Sequence, residues 1–195
     1  MIEYIKSSLV EAHNGLTNLM ANEQTLATIE QAASLLVQSL SQGGRIFSCG
    51  NGGSMCDAMH FSEELTGRYR KKRKGFAAVS ISDSSHISCV ANDFGYEFIF
   101  SRYIESHGTL KDVLVALSTS GKSLNIIKAV EAAKEIGVKS IVLTGKAGSE
   151  LESIADICIC TPAGSFADRV QELHIKVLHI LIEMIERNLC PQNYE

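Results

Sequence analysis

No two of the six cysteines in this chain stand in a Cys-x-x-Cys pair, and only two prolines interrupt its 195 residues. Scattered Cys49, Cys56, Cys89, Cys158, Cys160 and Cys190, several of them in apolar strand-like runs, read as buried free thiols and not as a disulfide framework or a thiolate metal site. Cations are not in excess: the formal net charge is −4, which removes the basic surface that sequence-independent nucleic-acid binding requires. No uninterrupted apolar run approaches the roughly 18 residues of a membrane span, and the start Met-Ile-Glu-Tyr-Ile-Lys lacks the basic-then-apolar pattern of a signal peptide. The expectation is a cytoplasmic chain with no nucleic-acid or membrane partner. At 45% hydrophobic and 21% charged, it has enough apolar residues for one sizeable core.

Helical spacing comes first. Ile2, Ile5, Leu9, Leu16, Leu19 and Met20 define one amphipathic stretch over 1–22, and Leu26, Ile29, Ala33, Leu36 and Leu40 a second over 23–42, ended by Gly43-Gly44. A short apolar strand then begins at Arg45. Further strands are predicted near 76–81, 112–117, 138–143 and 156–160, with helical stretches between them. Five such strands, rich in Val and Ile, predict a doubly wound five-stranded parallel sheet, flavodoxin-like, covered on both faces and preceded by an N-terminal helical pair. The last helix, about 166–188, is apolar almost all round and is predicted to be buried, in part between subunits.

Ligands of open α/β sheets bind beyond the carboxyl ends of the strands, so the residues that follow each strand matter most. After the first strand comes Gly50-Asn51-Gly52-Gly53-Ser54, a turn whose backbone N–H groups can face an anion or sugar oxygens. A dinucleotide fingerprint fails there, because Met55 stands where its third glycine belongs. After the third strand, Ser118-Thr119-Ser120-Gly121-Lys122-Ser123 places four hydroxyls at the start of a helix, a phosphate cradle. It is not an ATP-binding P-loop, since Ala116 replaces the required glycine. Helix capping accounts for one or two of these hydroxyls but not for four.

His60 and Glu64 are four residues apart and share one helical face. Gln171 and His179, about two turns apart, lie in the otherwise apolar last helix, where unpartnered polar groups cost about 1–3 kcal/mol each. Together the four could meet one metal ion or one polar substrate. His174 reads as a core histidine satisfied by a neighbour. The run from Arg68 to Lys74 holds six cations in seven residues; Arg70 to Lys74 read as a solvated loop, while Arg68 could reach an anionic substrate.

Ser-Cys-Gly-Asn-Gly-Gly-Ser (48–54), Asp-Ala-Met-His-Phe-Ser-Glu-Glu-Leu-Thr-Gly-Arg-Tyr (57–69), Ala-Asn-Asp-Phe-Gly (91–95), Ser-Thr-Ser-Gly-Lys-Ser (118–123) and Ala-Asp-Arg-Val-Gln-Glu-Leu-His-Ile-Lys-Val-Leu-His (167–179) together resemble the phosphoheptose isomerases, within the sugar isomerase (SIS) domain proteins. The resemblance covers nearly the whole chain and implies a single SIS domain over 1–195, with 1–44 as N-terminal helices and 45–195 as the α/β core. It implies a cytoplasmic homotetramer with sites between subunits, converting sedoheptulose 7-phosphate to D-glycero-D-manno-heptose 7-phosphate for lipopolysaccharide core synthesis. It carries one zinc ion per subunit onto His60, Glu64, Gln171 and His179. Substrate contacts fall on Asn51, Gly52, Gly53, Glu64, Asn92, Asp93, Ser118, Thr119, Ser120, Ser123 and Gln171. Glu64 becomes the catalytic base and His179 the partner acid, with Asp168 able to orient the pair. Some similar SIS proteins are instead tetrameric partners of the replication initiator DnaA, and others are sensors that only bind sugar phosphate. Retention of His60, Glu64, Gln171 and His179 together favours the enzyme.

Overall fold

In the computed structural model, which describes residues 1–195, the two amphipathic stretches form helices α1 (Ile2–Met20) and α2 (Glu23–Ser41). The Asn22 side chain accepts the Thr25 N–H at 3.0 Å and so starts α2 where α1 stops. The chain then alternates: β1 (Ile46–Gly50), α3 (Gly53–Thr66), β2 (Ala78–Ser80), α4 (Ser84–Asp93), α5 (Ser101–His107), β3 (Val113–Ser118), α6 (Leu124–Glu135), β4 (Lys139–Thr144), α7 (Glu150–Ile154), β5 (Ile157–Cys160) and α8 (Ala167–Leu189). The five strands form one parallel sheet in the order β2-β1-β3-β4-β5, as the alternating pattern predicts. β2 is shorter than its apolar run, because the Phe76 N–H bonds the Leu65 carbonyl and not the sheet.

Alternation of side chains along the strands divides the interior in two. Ile46, Val113, Val115 and Leu117 pack with Leu36 of α2, Phe61 of α3 and Leu178 of α8. Phe47, Cys49, Leu114 and Ala116 pack with Val90 of α4, Ile104 of α5, Ile126 of α6 and Leu151 of α7. Strand order reverses between β1 and β3, whose registers run Ile46 opposite Val113 through Gly50 opposite Leu117. Both strands therefore end together, at the switch point where such sheets bind ligands.

Four expectations need correction. α8 is long and largely buried, yet it is not apolar all round: Asp168, Glu172, Lys176 and Arg187 keep a narrow stripe in solvent. The thiols are all free, but Cys56 and Cys89 are exposed, since they lie on the outer faces of α3 and α4. The basic loop is not wholly solvated: Arg70 pairs with Glu183 at 2.7 Å, and the Arg73 side chain is 1% exposed. His174 is completely buried, with no side-chain partner on either ring nitrogen and only the Thr144 backbone acting on the ring.

Burial pushes the His174 imidazole down to about 4 from its ordinary value of 6.5, with the Thr144 backbone opposing, so the folded chain holds it neutral. Below pH 6.5 the unfolded chain takes up this proton and the folded chain does not. Stability should therefore fall, by at most about 1.4 kcal/mol per pH unit, as pH drops from 6.5 toward 4. Urea unfolding midpoints measured over that range should slope less in His174→Gln than in the wild type. Equal slopes would assign the acid sensitivity to other groups.

Candidate active site

The Ser118–Ser123 loop leaves β3 and enters α6 at the switch point. Its hydroxyls are not used as caps: Ser123, at the N-cap of α6, makes no capping bond, and its hydroxyl accepts from the Ser118 hydroxyl at 3.0 Å. Gly121 turns the loop with φ +66, and a Cβ there would come within 2.5 Å of Ser149, so only glycine fits. Free N–H donors of the first turn and the positive end of the α6 dipole are left for an anion. Thr119 and Ser120 line a cleft with Lys122, Lys146 and the residues before α8, a space of about 480 Å³.

Across the switch point, β1 runs through Asn51 and Gly52 into α3, whose apolar face (Ala58, Phe61, Leu65) packs on the sheet. The spacing of His60 and Glu64 then turns both toward α8. His60 Nε2 lies 2.8 Å from His179 Nε2 and 3.7 Å from Glu64 Oε1, while His60 Nδ1 lies 3.0 Å from Glu63 Oε1. The His60 Nδ1 faces the Glu63 carboxylate, and the two Nε2 atoms share one hydrogen bond whose donor is set by the tautomers of the two rings. Tyr69 lies beside the His179 ring, 5.8 Å between centroids. Partial burial and then the neighbouring Glu63 raise the Glu64 pKa above the ordinary carboxylate value; burial and then His60 lower that of His179. A strengthened carboxylate base beside a neutral imidazole donor suits proton transfer at a carbon next to a carbonyl.

Three of the four expected metal ligands thus converge. The fourth, Gln171, is pressed on the start of the same helix: a Cβ on Gly53 would lie 2.8 Å from both amide heteroatoms of Gln171. A side chain at position 53 would displace this amide. His60, Glu63 and Glu64 bring one ligand atom each within 4.8 Å of one another, and imidazole nitrogen with carboxylate oxygen is a donor set that fits a divalent cation. Glu63 was not among the expected ligands, although the i,i+3 spacing from His60 was available as a signal.

Asn51 is held by a reciprocal amide pair with Asn125 of α6, 2.8 Å in each direction, and its Oδ1 also accepts from the Tyr96 hydroxyl at 3.2 Å. This pair stitches the turn after β1 to the helix after β3. Neither Asn125 nor Tyr96 stood out in the sequence. Asn125 had one signal, a polar residue among Leu124, Ile126 and Ile127. Asn92 and Asp93 end α4, exposed and hydrogen-bonded to one another at 2.7 Å. Asp168 is exposed and pairs with Arg169 at 3.5 Å, and Arg68 is exposed; the contacts within the chain join neither to Glu64 or His179.

The SIS domain family matches residues 11–145 of the chain. The phosphoheptose isomerase of Vibrio cholerae is 54% identical over 188 residues, covering 96% of this chain and 98% of its own. Among solved structures, a phosphoheptose isomerase from Neisseria gonorrhoeae superposes with a TM-score of 0.87 at 34% identity, over 94% of this chain and 97% of its own. One from Francisella tularensis superposes with a TM-score of 0.89 at 31% identity, over 95% and 98%.

Proposed function

The chain belongs to the phosphoheptose isomerases of the SIS domain family, and from that membership we propose that it converts sedoheptulose 7-phosphate to D-glycero-D-manno-heptose 7-phosphate with Glu64 as base and His179 as acid partner. The observation that carries the assignment of roles is the meeting of Glu64, His60 and His179 on one side of the switch point, opposite the Ser118–Ser123 loop. The loop has donors and a helix N-terminus but no base; the α3 face has a base but few anion donors. A seven-carbon sugar phosphate would carry its phosphate to the loop and its carbonyl end to the α3 face.

The chemistry follows from this division. Phosphate docks on Ser118, Thr119, Ser120 and Ser123, and the sugar oxygens meet Asn51, Gly52, Gly53 and Gln171, with Asn92 and Asp93 completing the pocket. Glu64 takes the proton from C1 of the ketose as His179 gives one to the C2 oxygen, which yields the enediol. Return of the carbon proton to C2 and loss of the O1 proton complete the aldose. His60, Glu64, Gln171 and His179 would hold one zinc ion per subunit, which would polarise sugar oxygens there.

The chain is read as one SIS domain over 1–195, because both cores share a single sheet. Cytoplasmic location, for supply of heptose to the lipopolysaccharide core, fits a chain in which no helix is long and apolar enough to cross a membrane. A homotetramer is supported by the exposed Ile2, Tyr4, Ile5, Leu9 and Val10 on α1 and by an open, partly apolar groove of about 730 Å³ between α2 and α8. Ile180 and Met184 of α8 line that groove, which a second copy could cover. Nothing in the site or among the relatives favours the DnaA-binding alternative.

Purified protein incubated with sedoheptulose 7-phosphate should yield aldose signals by NMR, and inorganic phosphate should compete. Absence of the aldose under zinc-replete and zinc-free conditions would overturn the reading.

A further inference from the structure

We propose that Arg73, Glu186 and Tyr194 form a buried clamp that fixes Glu64 relative to His179, with Arg73 a positioning residue for the isomerisation. The last turn of a helix leaves carbonyls without intrahelical partners. At the end of α3 they are met by one guanidinium: Arg73 Nη2 donates to the Glu64 carbonyl at 2.8 Å, and Nη1 to those of Leu65 at 2.8 Å and Gly67 at 3.2 Å. Its Nε donates to Glu186 Oε1 at 2.6 Å, and Tyr194, beyond α8, donates its hydroxyl to Glu186 Oε2 at 2.9 Å. The Arg73 and Glu186 side chains are 1% and 0% exposed, and the guanidinium carbon lies 4.3 Å from the Phe76 ring centroid. Glu186 follows His179 by seven residues, two turns along the same face of α8. The clamp therefore grips the backbone of the proposed base on one helix and a side chain in line with the proposed acid on the other.

A role in positioning, beyond stability, follows from the chemistry of the pair. A buried ion pair adds little net stability compared with apolar residues of similar volume, whereas a planar fork fixes the direction of each bond it makes. The guanidinium ties the two helices together at the turn that carries Glu64. A lysine there keeps a cation for Glu186 but cannot hold three carbonyls in fixed directions.

The inference rests on the reading of Glu64 and His179 as the reacting pair. Its test compares wild type, Arg73→Lys, and the double variant Arg73→Met with Glu186→Met, in turnover, thermal melting and zinc affinity by chelator competition well below melting. Folded variants should show kcat lowered about 10- to 100-fold with KM within about threefold, and zinc bound about tenfold more weakly. Unchanged kcat and zinc affinity, with only the melting temperature shifted, would reduce the clamp to a structural role and overturn the proposal. If the double variant does not fold, Arg73→Lys decides alone by the same criteria. Wild-type protein that makes no aldose would defeat the functional reading instead, and the zinc affinities would still judge the clamp.

Discussion

Glu64→Gln should lower kcat by about 10²- to 10⁴-fold while substrate still binds within a few-fold of wild type. The amide matches the carboxylate in size and can keep the polar contact near His60, 3.7 Å away, but it cannot accept a proton from carbon at neutral pH. The carboxylate is suited to the task by its surroundings: partial burial and the adjacent Glu63 both raise its affinity for a proton. Steady-state turnover with calorimetric substrate binding separates the two effects. A variant with near-normal kcat would remove Glu64 from the role of base.

His179→Ala should be as damaging to turnover, by about 10²-fold or more, because it removes the imidazole proposed as the acid toward the C2 oxygen. It should also lower retained zinc, since His60 Nε2 loses the nitrogen 2.8 Å from it and one of two converging imidazoles is gone. Metal analysis after dialysis distinguishes the roles. Lost turnover with unchanged zinc would leave His179 as acid alone; unchanged turnover would exclude it from the chemistry.

The parts of this site that were legible in the sequence share a physical cause. His60 and Glu64 sit on a helix whose period can be counted, and His179 interrupts an apolar helix where a polar group must find a partner. The glycine turn and the Ser118–Ser123 loop were visible because strand ends can be located from apolar runs, and parallel sheets put ligands there. Arg73 was hidden because a run of cations reads as solvated unless its partner is known, and Glu186 is 113 positions away. Asn125 and Tyr96 were hidden for a related reason: both meet Asn51 only after β1 and β3 lie side by side, and strand order is not written in any local pattern. The same limit applies to His174, where burial was foreseeable but the lack of a side-chain partner was not.

The order β2-β1-β3-β4-β5 leaves the shortest strands, Ala78–Ser80 and Ile157–Cys160, at the two margins of the sheet. A strand margin is a row of unpaired donors and acceptors that invites another chain to add on, and fibrous aggregation begins from such additions. Margins of three and four residues offer almost no template. Another copy of this chain therefore finds little strand edge to extend, and fibrous growth by strand addition is disfavoured.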